Sequence, residues 1–138
     1  MTTQAKIGYT TAFKIGNGAT PEVFTAVAEV TNIKPPSMSR DAVDATHNQS
    51  SEGWREFIAG LKDGGEVSLD VNFVPGSATT LTLMAEIDAS LGNKQIVFPN
   101  GETFSFAALC TGIEPDAPMD DKMTATITYK VSGKPTLA

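Results

Sequence analysis

The sequence predicts a mainly β fold, a β-sandwich or half-barrel with one flanking α-helix. Three features carry that prediction. Across residues 66–73 apolar Val67, Leu69, Val71 and Phe73 alternate with polar Glu66, Ser68, Asp70 and Asn72, the period of a half-buried strand. Across residues 122–131 the same rhythm returns. Met123, Ala125, Ile127, Tyr129 and Val131 oppose Lys122, Thr124, Thr126, Thr128 and Lys130. Between these strands a single helical run follows Ser77. A strand-rich chain with a helix past its middle packs that helix on a sheet flank.

Taken in order, residues 9–16 read as a short strand stopped by Gly16-Asn17-Gly18. Residues 22–33 read as one longer strand, ended by Pro35-Pro36, which offer no N–H to a ladder. Residues 39–47 read as a strand, because Val43 and Thr46 favour extended backbone and no helical stripe appears. A polar loop follows to Gly53. Trp54, Phe57, Ile58 and Leu61 then fall at helical spacing and predict at most about two turns, closed by Gly64-Gly65. After the alternating strand and Pro75-Gly76, Ser77 is placed to cap a helix reaching Leu91, with Leu83, Ile87 and Leu91 on one line and Gly92-Asn93 as its stop. Residues 94–113 predict a hairpin around a type I′ turn at Asn100-Gly101. Residues 120–133 form the last strand. The count is about seven strands.

The 138 residues fit one domain, residues 1–138, and are 41% apolar and 19% charged. That is a globular composition, with a charged share low enough to leave surface for partners. The net charge of −6 and the scattered basic residues argue against binding a phosphate backbone. Cys110 is the only cysteine, so no intramolecular disulfide forms, and its apolar surroundings read as core. The N-terminal residues lack a signal-peptide core and no window approaches a membrane span. The expectation is synthesis in a cytosol-like compartment and no membrane insertion.

No catalytic constellation emerges. His47, the only histidine, sits in a polar loop without a cysteine at ligand spacing. There is no nucleophile elbow, no Gly-x-Gly-x-x-Gly and no Walker sequence. Asp116, Asp120 and Asp121 lack the spacing of a calcium loop. Met38, Met84, Met119 and Met123 suit core or interface filling. No catalytic residue, cofactor or metal site is expected, which leaves a binding module or a structural subunit.

The polar strand faces bear on that choice. One carries Glu66, Ser68, Asp70 and Asn72, the other Thr124, Thr126 and Thr128. Short polar side chains of this kind occur on ordinary solvated sheets. They also suit a wall facing a confined aqueous channel. Here the chain resembles a known family, the major tail tube proteins of long, non-contractile bacteriophage tails and of phage-like particles. The resemblance covers most of the chain. It rests on "SMSRDAVDATHNQSSEGWREFIAGLKDGGEVSLDVNFVPG", the helix "SATTLTLMAEIDASLG" and the hairpin "VFPNGETFSFAALCTGIEP".

That resemblance implies a tail-tube-like fold whose copies form six-fold rings stacked into a tube. Each copy lends strands to a continuous inner barrel. The loop from about His47 to Gly65 would reach neighbouring subunits through Trp54, Arg55, Phe57, Ile58 and Leu61. Glu66, Ser68, Asp70, Asn72, Thr124, Thr126 and Thr128 would face the lumen, with Asp41 and Asp44 as weaker candidates. DNA would pass unbound. Tape-measure, tail-terminator and tail-tip proteins would be further partners, in a virion tail assembled in the host bacterial cytoplasm. Two alternatives stay open: the tube protein of a contractile tail or type VI-like system, and a monomeric β-sandwich binding module.

Overall fold

The computed structural model describes residues 2–19 and 21–138. Its elements, in chain order, are β1 (Ala12–Gly16), β2 (Phe24–Ala26), β3 (Val30–Lys34), β4 (Ser39–Asp44), β5 (Phe57–Asp63), β6 (Glu66–Asn72), α1 (Ala78–Glu86), β7 (Gly92–Val97), β8 (Thr103–Asp116) and β9 (Thr124–Leu137). Seven strands form one sheet in the order β2-β1-β7-β8-β9-β6-β3, and β4 and β5 form a separate two-stranded sheet. All described pairings are antiparallel.

The connection from β2 to β3 gives the sheet its shape. These strands occupy opposite ends of the sheet order. Only Val27, Ala28 and Glu29 separate them in sequence. Four Cα steps span at most roughly 14 Å, so the sheet must roll until its edges nearly meet. The amide of Val27 donates to Phe13 of β1 (2.9 Å), and the carbonyl of Glu29 accepts from Asn72 of β6 (3.0 Å). The predicted half-barrel is therefore present. The predicted continuous strand over residues 22–33 is not: it breaks at Glu29, whose φ is +56°.

Three further expectations are corrected. Residues 54–61 are not helical. Phe57–Asp63 is strand β5, paired with β4 as Asp44↔Phe57 and Val43↔Ile58. The register shifts beyond Ala42↔Ala59, resuming at Arg40↔Lys62. That bulge breaks the two-residue period and leaves the apolar positions at spacings that mimic a helix. The helix stops at Glu86, short of Leu91, and leaves Leu81, Met84, Ile87 and Leu91 exposed. Its predicted cap is present: Ser77 Oγ accepts from the Thr80 amide at 3.1 Å. The β7–β8 hairpin does not close on a type I′ turn. Gly101 alone in that turn has positive φ (+91°), and its amide donates to Phe98 at 3.0 Å. Pro99-Asn100 are thus the central pair, followed by a left-handed glycine, the arrangement that pairs a type I turn with a bulge.

The inner face of the rolled sheet holds the core. Tyr129, Phe13, Leu69, Ile96, Ile127 and Val67 are its largest fully buried side chains, and Leu83 closes it from α1. Phe13 stacks on Tyr129 at 5.5 Å between ring centroids. Cys110 is buried there as expected. One feature lies outside the sequence expectations. Lys94 points into this core, 3.5 Å from the Glu86 carboxylate, with side chains 3% and 10% exposed. Its ammonium lies 5.5 Å from the Tyr129 ring centre, a cation over an aromatic face. Burial, reinforced by the Glu86 charge, pushes the Tyr129 phenol far above its usual range.

Candidate functional site: a polar wall and an apolar arm

Strands β3, β6, β9 and the second half of β8 lie side by side and form a wall. Pairing register sets its polar face in rows. Asn32, Asp70, Thr126 and Glu114 form one row. Lys34, Ser68, Thr128 and Gly112 form the next. Asn72, Thr124 and Asp116 flank them on one side, and Glu66, Lys130 and Leu109 on the other. Directly paired residues share a face, so Glu66, Ser68, Asp70, Asn72, Thr124, Thr126 and Thr128 all lie on one surface. The opposite face carries Val67, Leu69, Val71, Ala125, Ile127 and Tyr129, all buried.

The wall also contains residues that sequence reasoning missed: Asn32, Lys34, Glu114, Asp116 and Lys130. Glu114 and Asp116 belong to a strand that the sequence reading ended at Ile113. The signal was present in the threonines of β9, whose alternation demanded a partner of equal length. The wall thus carries Glu66, Asp70, Glu114 and Asp116 against Lys34 and Lys130. Thr126 donates to Asp70 at 2.8 Å, and Lys130 lies 3.2 Å from Asp63 at the wall's margin. The Gly65 amide and then Lys130 hold the Asp63 carboxyl below its usual value of 3.8.

Both sides of this wall end in open ladder groups. Strand β7 pairs with only the first half of β8, through Ala108, so residues 109–116 have β9 on one side and no strand on the other among the described residues. At the far side β3 pairs with β6 alone. A groove of about 820 Å³ runs along β3, lined by residues 30–33 together with Tyr9 and Phe98.

The second feature is an arm. Strands β4 and β5 form a two-stranded ribbon apart from the main sheet, tipped by a 3-10 turn at Ser51–Gly53. Its apolar side chains face outward. Trp54 is 72% exposed, Phe57 57%, Ile58 59% and Leu61 85%, and Val43 joins them. Arg55 extends to Asp44 across the ribbon at 3.1 Å. Thr46, more than Arg55, lowers the Asp44 carboxyl. His47 meets Glu56 at 3.3 Å near the tip. Asp41 and Asp44 thus sit on the arm's strand β4, in the two-stranded sheet. A lone two-stranded ribbon is marginal in water. Its root is held by Gly65, where φ is +74° and a Cβ would collide with the Ser37 carbonyl.

Among the described residues no cluster of His, Cys, Asp or Glu is arranged to hold a metal, and no helix is long and apolar enough to cross a membrane. The arrangement offers surfaces: a charged wall, two open edges and an apolar ribbon.

Comparison with known proteins gives these surfaces a context. The family model described as "Lambda phage tail tube protein, TTP" matches residues 8–138. No curated protein matches significantly. Among solved structures the chain is similar to one described as the tail of an empty GTA particle, refined helically with C6 symmetry. The TM-score is 0.77 at 19% identity, covering 97% of this chain and 99% of that one. A structure of the native gene transfer agent virion matches with TM-score 0.75 at 18% identity, covering 97% and 99%. A sheath/tube terminator structure of an extracellular contractile injection system matches with TM-score 0.72 at 12% identity, covering 100% and 99%. At these identities the structural likeness speaks to the fold.

Proposed function

The chain belongs to the lambda phage tail tube protein family and is a structural protein of a phage or phage-like tail; from that premise we propose that its copies close into six-fold rings, stacked as a channel for DNA. The observation that carries this reading is the four-strand wall with an open edge on each side. Along it the strand directions alternate, because every pairing is antiparallel. Rotating a copy about a tube axis preserves those directions. The β8 edge of one copy then meets the β3 edge of the next antiparallel, and the alternation runs unbroken around the ring. Closure removes every exposed edge.

The dimensions suit the task. Six copies give about 24 strands, spaced about 4.8 Å and tilted about 35–45°, hence a backbone diameter of roughly 45–52 Å. Short wall side chains leave a bore wider than a DNA duplex. The wall's carboxylates outnumber its lysines, and repulsion of phosphates reaches about 8 Å at physiological salt. The arm, with Trp54, Arg55, Phe57, Ile58 and Leu61, covers its apolar atoms on adjacent copies. Tape-measure, terminator and tip proteins engage the bore and the two ends. The activity is geometric and electrostatic, with no bond made or broken.

Electron microscopy of the concentrated protein tests this reading. Hollow rings or tubes are expected, and a monodisperse solitary particle at all concentrations refutes it. Glu66→Lys with Asp70→Lys should assemble yet slow DNA passage. Unchanged DNA delivery would remove those side chains from the lumen.

A further inference from the structure

We propose that neighbouring copies are held in register by Lys34 of one copy seated against the Glu114 and Asp116 carboxylates of the next. The proposal rests on the ring reading above and adds the contact that selects one strand offset. The wall's other charged groups mostly have local partners. Lys130 meets Asp63, and Asp70 accepts from Thr126. Lys34, Glu114 and Asp116 are exposed, and among the described residues none of the three has an ion pair. The unmatched charges of the wall therefore stand on its two open edges, with opposite signs.

Register makes the match specific. Within one copy Lys34 lies in the row of Gly112. In a closed barrel tilted at the usual 35–45°, four strands accumulate a stagger of about four residues. The direction of that stagger is limited by β7. It already covers β8 through Ala108, so only residues 109–116 can receive a new strand. A stagger toward Ala108 would drive the incoming β3 onto a covered edge. A stagger the other way carries Lys34 from the level of Gly112 to that of Glu114 or Asp116. Successive same-face residues lie about 6.8 Å apart, within the reach of a lysine stem between both carboxylates. The five residues of β3 also fit the open stretch of β8, which ends at Asp116.

Charge reversal with rescue tests this contact. Lys34→Glu alone, and Glu114→Lys with Asp116→Lys, should each raise the critical concentration for ring or tube formation at least about tenfold at low salt. Combining all three reversals should restore assembly to near the wild-type concentration. Sedimentation of polymer against total protein reads both, and thermal unfolding of the unassembled variants checks that each folds. If wild-type rings form and Lys34→Glu assembles as readily, the contact is refuted while the ring reading stands. Failure of the triple variant to recover, with its fold intact, also refutes the contact. If wild-type protein never forms rings, both fall together.

Discussion

Replacing Trp54 by alanine separates the arm's role in assembly from any role in the fold. A tryptophan side chain buries up to about 250 Å² when fully covered and about 150 Å² in shallower sites. Trp54 is 72% exposed, which leaves roughly 110–180 Å² to be covered by a neighbour. At about 25 cal/mol per Å² that is about 3–4.5 kcal/mol. Ordering the ribbon, and the area alanine retains, lower the net loss to about 2–3 kcal/mol. The critical concentration for tube growth should then rise about 30- to 150-fold. Because the indole touches little of its own subunit, unfolding of the free subunit should move by no more than about 0.5 kcal/mol. The assay pairs sedimentation across a concentration series with denaturant unfolding of the unassembled protein. Growth at the wild-type concentration would remove Trp54 from the interface. Loss of several kcal/mol in the free subunit would show that the ring lids its own domain.

The core makes its own predictions. Lys94→Met strands the Glu86 carboxylate in a nearly closed site and should cost about 3–5 kcal/mol, a melting drop of roughly 10–15 °C at this chain length. Adding Glu86→Leu should recover most of it, and calorimetry showing no recovery would mean the two charges are not coupled. Gly65→Ala forces a Cβ against the Ser37 carbonyl at positive φ and should cost at least about 2 kcal/mol; urea unfolding at the wild-type midpoint would refute that. Burial raises the Cys110 thiol above its ordinary value, so a thiol reagent should leave it unmodified at pH 8 until denaturant is added. Stoichiometric labelling of the native chain would contradict its placement.

Much of the wall was legible because its strands have one wet and one dry face. The alternation of Val67, Leu69 and Val71 with polar residues survives directly in the burial of β6, and that of Ala125 to Val131 in β9. What escaped reading was not local. Nothing in residues 22–33 marks Glu29 as a corner, since neither Gly nor Pro stands there. The bulge in β5 hid a strand behind helical spacing. Lys94 looked like a surface residue because its partner, Glu86, comes from the helix and the aromatic face beneath it from β9. Glu114 and Asp116 were invisible as wall residues until β9 supplied a register. The family match bears out the resemblance drawn from the motifs, while the roles given to Trp54 and its neighbours rest on their exposure.

The link from Val27 to Glu29 has a mechanical consequence. Most surface connections tolerate extra residues at small entropic cost. This one behaves as a hoop fastener: its length sets how tightly the sheet is wound, and hence the curvature offered to anything beside it. A protease nick there would relax the winding without removing a single core side chain. Lengthening it by a few residues should yield subunits that fold yet present the wrong arc.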